Sequence, residues 1–182
     1  YVISTPVDAQ QYKKQIGGIG TSTGFNSLNH KMQMIYSAAD LGNPVTGVVD
    51  KIYFRKSSAT PSSVTLSDLQ IKLGYTQSNT FAGSGTTFYT NLSPVLYSAS
   101  QVVTGPTANT FFVIDVAQQF TLPTGTGLVI EVTSSNSSSN SFSVLASTGL
   151  SAPSNKALIA TDANATTGTA STTWLDFGLD FA

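Results

Sequence analysis

The chain has 182 residues, 8 of them Lys or Arg and 9 Asp or Glu, with a formal net charge of −1 at pH 7. Charged residues make up only 9%, against about 25% in an average soluble domain, so the basic face that a nucleic-acid partner requires is absent. Cysteine is absent and there is one histidine, which excludes a disulfide framework and leaves no ligand set for a thiolate or transition-metal site.

The length suits one domain built around a single large core. Ser, Thr, Asn and Gly occupy the places that Lys and Glu usually fill, so the expected surface is neutral and hydroxylated, as in wall, fibre or matrix components. No run approaches the roughly 18 apolar residues of a membrane helix, and no membrane insertion is expected. The chain starts at Tyr1, which reads either as a mature exported product or as a fragment.

In chain order, "YVISTPV" is a plausible strand and "QQYKKQIGGIGTSTGFNSLNH" is glycine-rich. Residues 1–30 are therefore expected to be an N-terminal arm and flexible segment, and residues 31–182 a single domain. "GGIG" at 17–20 lacks the strand-to-helix switch and the Lys-Ser/Thr of a phosphate loop. Met32, Met34 and Tyr36 then alternate with Gln33 and Ile35, followed by a corner, "SAADLGN". After it, Ile52 and Phe54 take one face and Lys51, Tyr53 and Arg55 the other. Two strands around a compact corner suit a chain passing between the sheets of a sandwich.

Period-two alternation continues in "SDLQIKLGYT", "TFFVIDVAQQF", "GLVIEVTSS", "NSFSVLAST" and "TWLDFGLDFA". Pro94 interrupts "TTFYTNLSPVLYSA" and marks an edge strand or a bulge. Turn clusters such as "SSATPSS", "GSGT" and "LPTGTG" separate the runs. The expectation is all-β: an antiparallel, jelly-roll-like β-sandwich of about eight or nine strands with an extended N-terminal arm. Residues 147–173 carry little pattern beyond Leu158 and Ile159, and such loops are uncommon in compact domains unless they do something.

Catalytic inventory is sparse. His30 stands at the end of the flexible segment with no serine and carboxylate beside it in sequence. Asp115 and Glu131, on successive strands, are the one carboxylate pair that could face each other as a hydrolase would need, and the plain reading is two solvated charges. Asp162 and Asn164 in "TDANATTG" offer oxygen ligands to calcium or, more simply, an Asx-turn. The chain is expected not to be an enzyme and to carry no cofactor. Asn136 and Asn164 match the N-glycosylation acceptor pattern.

Binding residues are easier to nominate. Sugar recognition on a sandwich uses exposed rings, and the candidates are Trp174, Tyr36 and Tyr53, with Tyr75, Tyr89 and Tyr97 behind them. Trp174 takes the phase opposite to Leu175, Phe177 and Phe181. A second candidate is an assembly arm, Tyr1, Val2, Ile3 and Val7, since a strand on a tether can add to a neighbour's sheet edge. Scarce charge leaves this chain little with which to protect such edges.

The stretch from Met32 to about Ala146, with "QMIYSAADLG", "VTGVVDKIYFR", "LSDLQIKLGYT", "VLYSAS" and "FFVIDVAQQFTLPTGTGLVIEV" in that order, resembles a β-sandwich module of exported bacterial cell-surface proteins, including large adhesins. Such modules show an I-Y-x-A-x-E-L-G corner, and Asp40 stands here where glutamate is usual. The resemblance implies a secreted or surface-displayed sandwich and brings no catalytic residues with it. In this reading Tyr36 and Leu41 plug the end of the sandwich, and Asp40 bonds backbone donors at the turn. These features together point to an extracellular structural subunit that self-assembles into a fibre, sheath or appendage as a homo-oligomer or polymer. The alternative is a carbohydrate-binding or adhesive module with a polysaccharide partner.

Overall fold

The computed structural model describes residues 10–15, 19–21, 25, 30–81, 86–135, 142–147 and 155–182. Among them the chain forms thirteen strands: β1 (Tyr12–Lys14), β2 (Ile19–Thr21), β3 (His30–Tyr36), β4 (Gly47–Arg55), β5 (Ser63–Thr76), β6 (Ser93–Thr104), β7 (Phe111–Leu122), β8 (Gly127–Ser134), β9 (Val144–Ser147), β10 (Ala157–Ala160), β11 (Thr169–Ser171), β12 (Trp174–Leu175) and β13 (Phe177–Phe181). A four-stranded sheet runs β1-β13-β4-β7 and a six-stranded sheet runs β11-β10-β3-β8-β5-β6, with a small third sheet β12-β9-β2. Every pairing is antiparallel. The sandwich expected from alternation is present. No helix among the described residues is long and apolar enough to cross a membrane.

The core follows from period two. Met32, Met34 and Tyr36 of β3, Ile71 and Leu73 of β5, and Leu128, Ile130 and Val132 of β8 face Ile52 and Phe54 of β4 and Phe177 and Leu179 of β13. β3 lies in the six-stranded sheet and β4 in the four-stranded one, so residues 37–46 do carry the chain between sheets. Ser37 and Asp40 close that corner reciprocally. The Ser37 N–H and hydroxyl donate to Asp40 Oδ2 at 2.9 and 2.7 Å, and the Asp40 N–H donates to Ser37 Oγ at 3.1 Å, the geometry of a capping box around a single turn. A Cβ on Gly127 would lie 2.7 Å from the Tyr36 carbonyl oxygen, so only glycine lets β8 approach the end of β3.

Three features differ from the sequence reading. First, the sandwich recruits chain that precedes residue 31: β1 pairs with β13, β2 pairs with β9, and the Phe25 ring is buried against Phe54 and Phe112 at 4.8 and 5.5 Å. His30, expected on a flexible segment, opens β3 and is buried, its Nδ1 3.3 Å from Ser134 Oγ. Second, the low-pattern stretch 147–173 supplies β10 and β11. Phe81 and Phe88 cover the outer face of the six-stranded sheet, where Ile35 of β3, Val129 of β8 and Leu158 of β10 complete a second apolar cluster. Every residue of β8 is buried as a result. Third, the last run divides at Asp176 into β12 and β13, which belong to different sheets.

Lys56, just past β4, is fully buried; its Nζ lies 4.1 Å from the centroid of the Phe142 ring and has no hydrogen-bond partner among the described residues. Burial lowers the pKa of this amine from its ordinary value. The unfolded chain therefore binds the proton more tightly than the folded one, and stability rises as pH climbs through the window below the ordinary lysine value. Lys56→Met is expected to raise stability by about 1 kcal/mol at neutral pH and to flatten that rise. Urea denaturation of both proteins at pH 7 and pH 10 checks it, and equal pH slopes would refute it.

Candidate functional site

The four sheet edges are unequal. On one side of the sandwich the sheets end in β1 and β11, each of three residues. On the other side they end in β6 and β7, each of twelve residues. Short edges offer little backbone to a passing strand, whereas long flat ones invite pairing unless charge or proline blunts them. β6 reads "SPVLYSASQVVT" and contains no charged residue. β7 has only Asp115.

β6 and β7 approach each other across the sandwich, and between them lies an open groove of about 430 Å³. Leu96, Val102 and Val103 line it from β6 and Val113, Ile114 and Val116 from β7, together with the polar Gln101, Thr104 and Asp115. Leu96 and Val116 rest directly on the main core, so the groove floor is the edge of the core itself. Tyr97 and Val102 stand 64% and 58% exposed on the β6 edge, among the most exposed large apolar side chains described. Pro94 sits at the start of β6, where the register with β5 shifts, as expected of an edge strand. Sequence reasoning noted that edges lacked protection but did not single out these lining residues. The available signal was the absence of charge over the twelve residues of β6.

The nominated ring platform is not at the surface. Trp174, Tyr36 and Tyr53 are 2%, 0% and 1% exposed. Tyr36 is stacked between Trp174 and Phe177, with ring centroids 5.2 and 4.7 Å away, and its hydroxyl donates to the Leu175 carbonyl at 2.7 Å. Burial, and then the charges of Asp176 and Asp40, hold its phenol well above the ordinary value, so it remains a neutral donor. Trp174 belongs to the main core together with Leu175, and Lys156 and Lys14 lie over its ring at 4.9 and 5.7 Å. Tyr53 donates to Asp180 Oδ2 at 2.7 Å; burial and that bond raise its pKa. All three serve the interior. Tyr75, at 60%, and Tyr97 are the exposed tyrosines of the original six.

Asp115 and Glu131 do not meet. Asp115 is opposite Lys51 in the four-stranded sheet, while Glu131 lies in β8 of the six-stranded sheet. Glu131 is 2% exposed rather than solvated. It accepts a bond from Gln33 Nε2 at 2.6 Å and is flanked by Lys31 at 3.3 Å and Lys72 at 3.0 Å. Gln33 also exchanges two 2.8 Å bonds with the backbone of Tyr89, which fastens the covering loop over the cluster. Glu131 and its two lysines also line a small pocket with Tyr89 and Asn164, and the Gln33 bonds secure the cover beside it. Asn164 N–H donates to Asp162 Oδ1 at 2.9 Å, the Asx-turn option, and no group of three or more His, Asp or Glu comes together among the described residues. The arm residues Tyr1, Val2, Ile3 and Val7, and Asn136, lie outside the described residues.

Comparison with protein-family models, curated proteins and solved structures finds no match to this chain.

The corner carries its own titration. Asp40 accepts from Lys156 and lies 3.6 Å from Lys14. Burial raises its pKa, but the bonds from Lys156 and Ser37 outweigh burial and leave the carboxyl below its ordinary value. That stabilisation is present above the ordinary carboxylate value and is lost as pH falls through the folded one. Asp40→Asn is expected to cost about 1–2 kcal/mol at pH 7, and less as the pH approaches 3. Thermal melts across pH 3 to 7 test this, and a pH-independent difference would count against the assignment.

Proposed function

We propose that this chain is a secreted structural protein of a bacterial surface, a subunit that self-assembles into an extracellular fibre, sheath or appendage. The observation that carries the reading is the side of the sandwich where β6 and β7 end. Twelve residues of uncharged edge strand flank a groove of mixed polar and apolar lining that reaches the core. In a monomer that surface is a liability, and in a polymer it is the joint. The sparse charge of the whole chain supports the same reading, since neutral faces pack without desolvating ions, as does the sequence resemblance to surface-displayed sandwich modules.

The competing reading, a polysaccharide-binding module built on Trp174, Tyr36 and Tyr53, loses its platform because those rings are interior.

Negative-stain electron microscopy and size-exclusion chromatography with light scattering test the proposal directly. The expected result is regular filaments or tubes, with scattering mass far above the 19.0 kDa of one chain. Val102→Lys puts a charge on the exposed β6 edge and is expected to lower the assembled fraction about tenfold while leaving the fold intact. A 19.0 kDa monomer at every concentration would overturn the reading.

A further inference from the structure

The outer face of the six-stranded sheet carries a pocket of about 200 Å³, and its floor holds Lys31, Lys72 and Glu131. In a chain this poor in charge, such a concentration stands out. Glu131 of β8 is the centre. Its cross-strand neighbours are Gln33 of β3 on one side and Lys72 of β5 on the other. Two loop segments form the walls, one with Tyr89 and Leu92 and the other with Asn164 and Thr166. Both walls are pinned. Gln33 exchanges its bonds with the Tyr89 backbone, and Lys31 donates to the Ala165 carbonyl at 3.0 Å. The Phe88 N–H donates to the Thr166 carbonyl at 3.2 Å and joins the two walls. The pocket is thus formed in advance, and an occupant orders little on entering.

The polar groups of the floor are unequally engaged. Gln33 fills both amide donors, on the Tyr89 carbonyl and on Glu131 Oε2. Lys31 is held by the Ala165 carbonyl, by Glu131 Oε2 at 3.3 Å and by the Phe88 ring at 4.8 Å. Glu131 Oε1 is buried and accepts no hydrogen bond among the described residues, although the Lys72 ammonium stands 3.0 Å away as an ion pair. Lys72 is the most exposed of the three, and an ammonium carries three donors. Two ammonium charges against one carboxylate leave one positive charge.

These groups describe their occupant. It donates an O–H to Glu131 Oε1 and sets a single negative charge on Lys72. It lays a small apolar face on Tyr89 and Leu92 and turns hydroxyls toward Thr90, Asn164 and Thr166. A pyranose with a carboxylate beside a hydroxyl meets all four demands. A phosphate group brings about −1.5 to −2 of charge and no apolar face. The volume lies below the roughly 300 Å³ at which drug-sized sites begin, so one ring fits and a longer chain must continue outside.

We infer that this pocket binds one uronic-acid unit, with its carboxylate on Lys72 and the adjacent hydroxyl on Glu131 Oε1. The inference is independent of the self-assembly reading, since the pocket is complete within one chain.

Isothermal titration calorimetry of the full chain tests it, with glucuronic and galacturonic acid as probes and glucose, galactose and inorganic phosphate beside them. Saturable binding of at least one acid is expected, with no binding of its neutral counterpart and no displacement by phosphate. Lys72→Met is expected to weaken that binding about tenfold. Thr90→Trp places bulk at an exposed lining position and is expected to abolish binding with an unchanged melting temperature. If Lys72→Met lowers the melting temperature, Thr90→Trp decides, because it leaves the charged floor intact. Failure of both acids to bind overturns the inference, as does equal binding of a neutral sugar. Displacement by phosphate, or binding that survives Thr90→Trp, overturns it as well.

Discussion

β8 has no face in water, and the rest of the structure follows from that constraint. A central strand buried on both sides needs a second layer on each side. The four-stranded sheet supplies the inner layer through Ile52, Phe54, Phe177 and Leu179. The outer layer has no sheet of its own, so Phe81 and Phe88 are brought over from segments with little regular structure onto Ile35, Val129 and Leu158 of the sheet. Glu131 lies under that outer layer, where an unpaired carboxylate would cost several kcal/mol. Lys31, Lys72 and Gln33 answer that cost, and Gln33 also holds the Tyr89 backbone. Charge is scarce in this chain, and some of what exists is spent in the interior.

A second junction ties the small third sheet to the two large ones. The Tyr36 ring lies between Trp174 of β12 and Phe177 of β13, and its hydroxyl reaches the Leu175 carbonyl. One side chain from β3 thus fixes the place where the last strand changes sheets. Asp176, at the change, is buried and paired with Arg55 at 3.2 Å. Lys156 connects Trp174 to Asp40 and so links this junction to the corner. The most recognisable motif in the sequence is therefore a mechanical joint.

Phase was legible in the sequence and cover was not. Alternation correctly assigned Met32, Met34, Ile52, Phe54 and Leu175 to the core, because period two is a property of the strand alone. The same alternation put Trp174, Tyr53 and Glu131 on the opposite face; Tyr53 and Glu131 are buried there, and Trp174 instead joins the main core beside Tyr36. Over the six-stranded sheet the cover includes Phe81 and Phe88, with Tyr89, Leu92 and Ala165 packed beside them, and these are too widely spaced to show a period. Only long-range contacts, such as the Phe81 N–H donating to the Asn155 carbonyl at 2.8 Å, bring them into place. The division of the final run at Asp176 was invisible for a related reason: Leu175, Phe177 and Leu179 keep their phase across a change of sheet. The unprotected edge was legible in kind, from missing charge and Pro94, but which two edges adjoin is a matter of topology.

The inequality of the edges gives the molecule a front and a back. Two twelve-residue edges lie on one side and two three-residue edges on the other. A contact that uses one of each leaves both partners with an unused surface of the opposite kind, so it cannot be satisfied by a pair. Any array built this way has two chemically distinct tips, one displaying the slot between the long edges and the other a bare short strand. Such an array has polarity: its tips differ in affinity for the next subunit, and a single molecule with a blocked slot would terminate it from one end only.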